Sequence, residues 1–146
     1  GPDMIRAMTT GLWLDFLGIR LDSRKAEGKQ FKINLATPDN GEQFVVELSN
    51  GTLTNIAGFQ ADDPDLTVTI DREDLVMTMM GAVSFDEQIA SGKAKLDGDR
   101  QVYEDLKTML VHFDLGFEIM PGTGGADLTP EQGPFEAEEP ANTAGG

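Results

Sequence analysis

FKINLATPDNGEQFVVELSNGTLTNIA, residues 31–57, decides the fold. Phe31, Ile33 and Leu35 alternate with Gln30, Lys32 and Asn34, so one face of this run is buried and the other wet. Thr37-Pro38-Asp39-Asn40-Gly41 has the composition of a turn. Phe44, Val46 and Leu48 then alternate with Val45 and Glu47. Asn50-Gly51 is a hairpin signal, because both residues tolerate positive φ, and Thr52 to Ile56 return as a third strand. The three runs predict an antiparallel meander with one apolar face.

Such a face must be covered. On the N-terminal side, Leu12, Trp13, Phe16, Leu17 and Leu21 recur at helical spacing after Thr9 or Thr10, either of which can cap a helix; Gly28 offers a stop. On the C-terminal side, Gln60 to Asp65 is a polar loop and Leu66 to Ile70 a β-branched fourth strand. Asp71 is placed to cap a helix, with Glu73 and Asp74 in its first turn, Leu75, Val76, Met79 and Met80 on its apolar face, and Gly81 at its end. Ser84 and Glu87 form a capping box for a short helix reaching Ala90. Lys93 to Asp97 is a brief strand. Asp99 caps a last helix with the stripe Val102, Leu106, Met109, Leu110 and Phe113. The pattern is that of an α+β domain.

Composition narrows the function. The chain has 146 residues and a net charge of −15, from 26 acids against 11 bases. Phosphate binding needs clustered Lys and Arg, so nucleic acid is excluded as a partner, as is an electrostatic anchor on anionic membranes. No apolar run approaches the ~20 residues that span a bilayer, so stable membrane insertion is not expected. There are no cysteines, which removes disulfide and thiolate chemistry but does not reveal the compartment. His112 is the only histidine, so neither a zinc site nor a Ser-His-Asp arrangement can be assembled around a histidine set. Asp62-Asp63-Pro64-Asp65 lacks the EF-hand spacing, and Gly122-Thr123-Gly124-Gly125 has no leading strand and no following Lys. No catalytic residue, metal ligand or cofactor is assigned. Residues 1–7 read as a lead or tag remnant and 8–120 as the domain. Residues 121–146 read as an acidic, Gly- and Pro-rich disordered tail, with five acids and no Lys or Arg.

Several motifs carry a family resemblance. Leu14-Asp15-Phe16-Leu17-Gly18-Ile19-Arg20-Leu21 followed by Ala26-Glu27-Gly28-Lys29 is one; Glu47-Leu48-Ser49-Asn50-Gly51-Thr52-Leu53 and Pro64-Asp65-Leu66-Thr67-Val68-Thr69 are others. Ala90-Ser91-Gly92-Lys93-Ala94-Lys95-Leu96-Asp97-Gly98-Asp99 completes the set. From about Met8 to about Phe117 the chain resembles the C-terminal, sterol-carrier-like domain of bacterial alkylsulfatases. The resemblance implies a twisted, mostly antiparallel sheet of about five strands, covered by helices that leave an apolar pocket. It also implies a parent enzyme, often periplasmic or secreted, in which a metallo-β-lactamase-type catalytic domain carries the zinc ligands and a dimerisation region follows. The C-terminal domain then helps gather the alkyl chain of the substrate. Nothing like the catalytic His-rich motif is present here, so no activity carries over.

The expected ligand is therefore an alkyl chain, fatty acid or similar lipid, held between sheet and helices. The expected lining comes from Trp13, Phe16, Leu17, Phe59, Met77, Met80, Phe85, Phe113 and Phe117, because Met and Phe pack adaptably. Two other readings stay open: a structural domain whose filled core contacts a catalytic partner, and a stand-alone lipid carrier.

Overall fold

The computed structural model describes residues 8–110. The elements follow as α1 (Thr10–Arg20), β1 (Phe31–Thr37), β2 (Glu42–Ser49), β3 (Thr52–Ala57), β4 (Leu66–Ile70), α2 (Arg72–Met79), α3 (Phe85–Ala90), β5 (Ala94–Gly98) and α4 (Arg100–Met109). The strands form one sheet in the order β3-β2-β1-β4-β5. The meander is present as expected, with Phe31 opposite Leu48 and Leu48 opposite Leu53. Asn50 (φ 53°) and Gly51 (φ 74°) both take positive φ, the requirement of a two-residue type I′ turn. β4 joins β1 in parallel, and β5 closes the other edge antiparallel to β4.

The parallel pairing obliges the chain to cross β2 and β1 between Ala57 and Leu66. Polar groups on the non-core face hold this crossover. The Asn34 amide donates to the Ala61 carbonyl at 2.9 Å and accepts from the Ala61 N–H at 2.8 Å. The Gln60 amide donates to the carbonyls of Phe44 (3.0 Å) and Leu35 (3.3 Å). The acids of this loop are used in the same way: Asp65 accepts from the Lys32 N–H at 2.8 Å, and Asp63 pairs with the Lys32 ammonium at 3.2 Å. Asn34 is buried, but both the nitrogen and the oxygen of its amide are hydrogen-bonded, which offsets the cost of its burial.

The other face is apolar. Phe31, Ile33 and Leu35 of β1, Phe44, Val46 and Leu48 of β2, and Leu66, Val68 and Ile70 of β4 are all buried, as the alternation dictates. α1 covers the β3 side. Its Thr9 cap accepts from the Leu12 N–H, and Leu21 ends it. The helix buries Thr10, Trp13, Leu14 and Leu17, whereas Leu12 is 52% and Phe16 43% exposed, so the expected stripe is rotated. Gly18 supplies the reason. A Cβ there would stand 2.8 Å from the Leu53 carbonyl oxygen, so this glycine lets α1 lie directly against β3 and fixes which side faces the core. Asp15 reinforces the contact by accepting from the Asn55 amide at 2.7 Å.

α2, α3 and α4 cover the β4–β5 side. Asp71 occupies the N-cap position of α2, but its side chain makes no capping bond. Asp39, from the β1–β2 turn, takes that role by accepting from the N–H groups of Arg72 (2.5 Å) and Glu73 (3.0 Å). Desolvation raises the Asp39 carboxyl, but these backbone hydrogen bonds outweigh it and leave the group below its usual range. Arg72 then bridges from α2 to α1, donating to the Met8 carbonyl and to Thr10 Oγ1 (3.0 Å). The capping box of α3 is complete, with Ser84 and Glu87 exchanging hydrogen bonds. Buried Gln88 ties α3 to α2 through the Asp74 carbonyl and Thr78 Oγ1. α4 is described only to Met109, so its expected continuation through Phe113 lies outside the described residues.

Candidate functional site

Between the sheet and the helices lies a cavity of about 70 Å³. Trp13, Leu14 and Leu17 of α1 form one wall. The sheet contributes Ile33, Leu35, Val46, Leu53, Leu66 and Val68, all from its core face. Leu75, Phe85, Tyr103 and Leu106 close it from α2, α3 and α4. No charged side chain lines the cavity. A wall of this kind favours a hydrocarbon and offers a buried charge nothing to pair with.

One edge of the cavity is polar on its outer side. Tyr103, 5% exposed, packs its ring 5.7 Å from that of Phe85 and donates its hydroxyl to Asp86 Oδ1 at 2.5 Å. The Lys107 ammonium reaches both Asp86 oxygens, at 3.0 and 3.1 Å, and stands 5.0 Å from the centre of the Tyr103 ring. Burial, then the bond to Asp86, raises the Tyr103 hydroxyl well above its ordinary value. The hydrogen bond from Tyr103, helped by Lys107, lowers Asp86. The bond to Asp86 in turn raises Lys107. These groups clamp α3 to α4 over the cavity. Tyr103 is thus held in its protonated form, and the Lys107 ammonium is paired with Asp86 and Glu104. Among the described residues, no three His, Cys, Asp or Glu side chains converge to hold a metal ion, and no helix is long and apolar enough to cross a membrane.

The residues expected to line a pocket divide. Trp13, Leu17 and Phe85 stand together on the cavity wall. Phe16 does not, because the roll of α1 about Gly18 turns it outward. Phe59 is 64% exposed in the crossover, on the far side of the sheet. Met77 is 38% exposed, since the eight-residue α2 buries Leu75, Val76, Thr78 and Met79 and has no further face to offer the core. Half-buried Met80 lies past the end of α2 and off the cavity wall. Phe113 and Phe117 lie outside the described residues. Side-chain type was a poor guide: the wall is built mainly from Leu, Ile and Val of the strands, whose alternation already marked them as inward. Tyr103 was missed because it falls beside, and not within, the i, i+4 series of α4.

This arrangement, a five-stranded mixed sheet with helices over one face, is the sterol-carrier-like α+β fold. It matches the solution structure of palmitated SCP2L2 from Aedes aegypti with a TM-score of 0.54, covering 73% of this chain and 98% of that one; at 23% identity the likeness concerns the fold alone. The chain belongs to the alkyl sulfatase C-terminal family, whose model matches residues 1–122. It is 34% identical over 119 residues to a linear primary-alkylsulfatase of Pseudomonas sp., covering 82% of this chain and 18% of that protein. It is 30% identical over 122 residues to an alkyl/aryl-sulfatase of Saccharomyces cerevisiae, covering 84% and 19%. The structure of the inverting sec-alkylsulfatase Pisa1 from Pseudomonas sp. superposes with a TM-score of 0.65 at 30% identity, over 72% of this chain and 17% of that one. The chain thus spans under a fifth of the length of these alkylsulfatases and corresponds to their C-terminal domain.

Proposed function

We propose that this domain is a non-catalytic binding module that takes the alkyl chain of an apolar ligand into the cavity between sheet and helices, and that in an alkylsulfatase it recruits the substrate for a separate catalytic domain. The observation that carries this is the cavity, walled by aliphatic and aromatic groups of the core. An alkyl sulfate suits it in one orientation only. The tail enters, and the sulfate stays in water, because an unpaired buried anion is costly and no cation lines the wall. At about 70 Å³ the space is roughly half of a ~150 Å³ engineered cavity that admits benzene, so a long chain requires the helical wall to yield. Each methylene buried contributes about 0.8 kcal/mol, against an association cost of about 4 kcal/mol or more, so weak affinity is expected, enough to raise local substrate concentration.

The second reading, a structural domain with a filled core, draws on the same small volume and on the outward apolar residues of α1. Titrating dodecyl sulfate below its micelle concentration separates the two. Trp13 is the single tryptophan and lies on the cavity wall, so its fluorescence reports occupancy. Saturable change in Trp13, with backbone shifts at Leu17, Val68 and Leu106, supports the binding module. Shifts confined to the crossover face, or none, assign the domain a structural role.

A further inference from the structure

The polar edge of the cavity is built from acceptors whose neighbouring donors are already in use. Asp86 and Glu104 follow the wall residues Phe85 and Tyr103 in the chain, and their side chains are 56% and 42% exposed. The Tyr103 hydroxyl gives its one proton to Asp86 Oδ1 at 2.5 Å. An ammonium has three N–H groups, and that of Lys107 is met by three carboxylate oxygens: Asp86 Oδ1 at 3.1 Å, Asp86 Oδ2 at 3.0 Å and Glu104 Oε1 at 3.1 Å. A carboxylate can accept about four hydrogen bonds, and among the described residues Tyr103 and Lys107 supply three to Asp86. Accepting capacity therefore remains at this edge where donating capacity does not.

Resting on the reading of the cavity as an alkyl-chain site, we propose that it takes a long-chain alcohol in preference to an alkyl sulfate, so that the product of ester hydrolysis competes with the substrate for this domain. A hydroxyl head can donate to Asp86 and stay at the edge. A sulfate ester brings only acceptors and a negative charge, and meets lone pairs and like charge there. The cations of the covering helices are all engaged. Lys107 is held as above, Arg100 stands 3.8 Å from Glu104, Arg72 donates to Thr10 Oγ1 and the Met8 carbonyl, and Arg20 has a partner as well. The sequence after Leu110 contains no Lys or Arg. The net charge of −15 adds a longer-range repulsion of anions that salt screens. An uncharged head also lets the chain sit deeper, because burying a hydroxyl costs far less than burying a sulfate. Water and an alkyl sulfate give the alcohol and hydrogen sulfate, so hydrolysis converts the head this edge repels into one it can hold. Accumulated alcohol then limits the uptake of further substrate.

The test is titration of decanol and of decyl sulfate, the latter below its micelle concentration, into the full 146-residue chain at low and at physiological ionic strength, read by Trp13 fluorescence. The expected result is a Kd about tenfold lower for decanol at low ionic strength, with the gap narrowing in salt because only the charged head is screened. The two heads differ in intrinsic hydrophobicity, and comparing the ratio of Kd values between wild type and Glu104→Gln cancels that difference. The substitution removes one charge and releases one Lys107 N–H, so it should lower the decyl sulfate Kd about three- to fivefold and leave that of decanol within about twofold. Decyl sulfate binding as tightly as decanol overturns the preference and leaves the alkyl-chain reading standing. A ratio that changes neither with salt nor in Glu104→Gln also overturns it, since the edge then plays no part. Binding of neither ligand overturns the preference and the alkyl-chain reading together.

Discussion

Leu17→Ala tests the cavity most directly. Leu17 is 4% exposed and lies on the wall, so the substitution removes three carbons from a packed interior and adds their space to the existing 70 Å³. Without ligand this should destabilise the domain by about 3 kcal/mol, which for a domain of this size lowers Tm by on the order of 10–20 °C. The same change should improve binding of a decyl or dodecyl sulfate. If the tail occupies the vacated volume, three more methylenes are buried at about 0.8 kcal/mol each, roughly a 50-fold fall in Kd at most. Partial collapse of the wall would reduce this to about tenfold. The assay is isothermal titration below the micelle concentration, paired with thermal melts across ligand concentration. The variant should recover a larger share of its Tm than the wild type gains. Ile56→Ala, at a 56% exposed position on the other face of the sheet, is the control and should alter neither quantity. A Leu17→Ala protein that is destabilised yet binds no tighter would show that ligand does not occupy this space.

Other parts of the fold make separate predictions. Gly18→Ala should cost about 1–3 kcal/mol in denaturant unfolding, because its Cβ would meet a backbone carbonyl at 2.8 Å that cannot rotate away; an unchanged midpoint would mean that α1 is not seated on β3 in this way. Asn34→Ala should cost about 1–3 kcal/mol by leaving the Ala61 N–H and carbonyl unpaired, and should raise hydrogen exchange at Ala61 in particular. Tyr103 is the single tyrosine, and its raised hydroxyl pKa means that its contribution is fully present below the unfolded value of about 10 and is lost as pH climbs beyond it. Absorbance at the tyrosinate band should therefore stay flat through that region and rise only with unfolding; ordinary titration would contradict the Asp86 bond. Asp86 is displaced the other way, so its contribution holds above about pH 4 and fails as pH falls further, and Tyr103→Phe should make that acid loss smaller.

How much could be read beforehand depended on whether the signal was local. Alternation from Phe31 to Leu48 and the Asn50-Gly51 pair are local, and they gave the meander and its register. The capping box at Ser84 and Glu87 is local too. The cap of α2 is not, because Asp39 arrives from 33 residues away and replaces the adjacent Asp71, and nothing in the helix's own sequence announces it. The roll of α1 is a tertiary result of the same kind. Leu12, Trp13, Phe16 and Leu17 fit one apolar stripe, and only the contact of Gly18 with β3 divides them between inside and outside. The candidate site inherited this error, since Phe16 was counted inward on periodicity and Phe59 and Met77 on side-chain type.

The two walls of the cavity are held by different means, and this bears on how a long ligand would be admitted. The sheet is bonded along its whole register, and its outer face is fastened by Asn34 and Gln60 across the crossover, so it has little freedom to separate. On the helical side, α1 is joined to the sheet by packing and the Asp15–Asn55 bond, and to α2 through Arg72. α3 and α4 are joined to one another by the Asp86, Tyr103 and Lys107 cluster. Expansion should therefore pass through α1. Separating α3 from α4 would break a short hydrogen bond and an ion pair, whereas moving α1 outward trades one apolar contact for another if an alkyl chain follows it in. Trp13 and Leu17 sit on that moving wall, and Gly18 is the point about which it would turn.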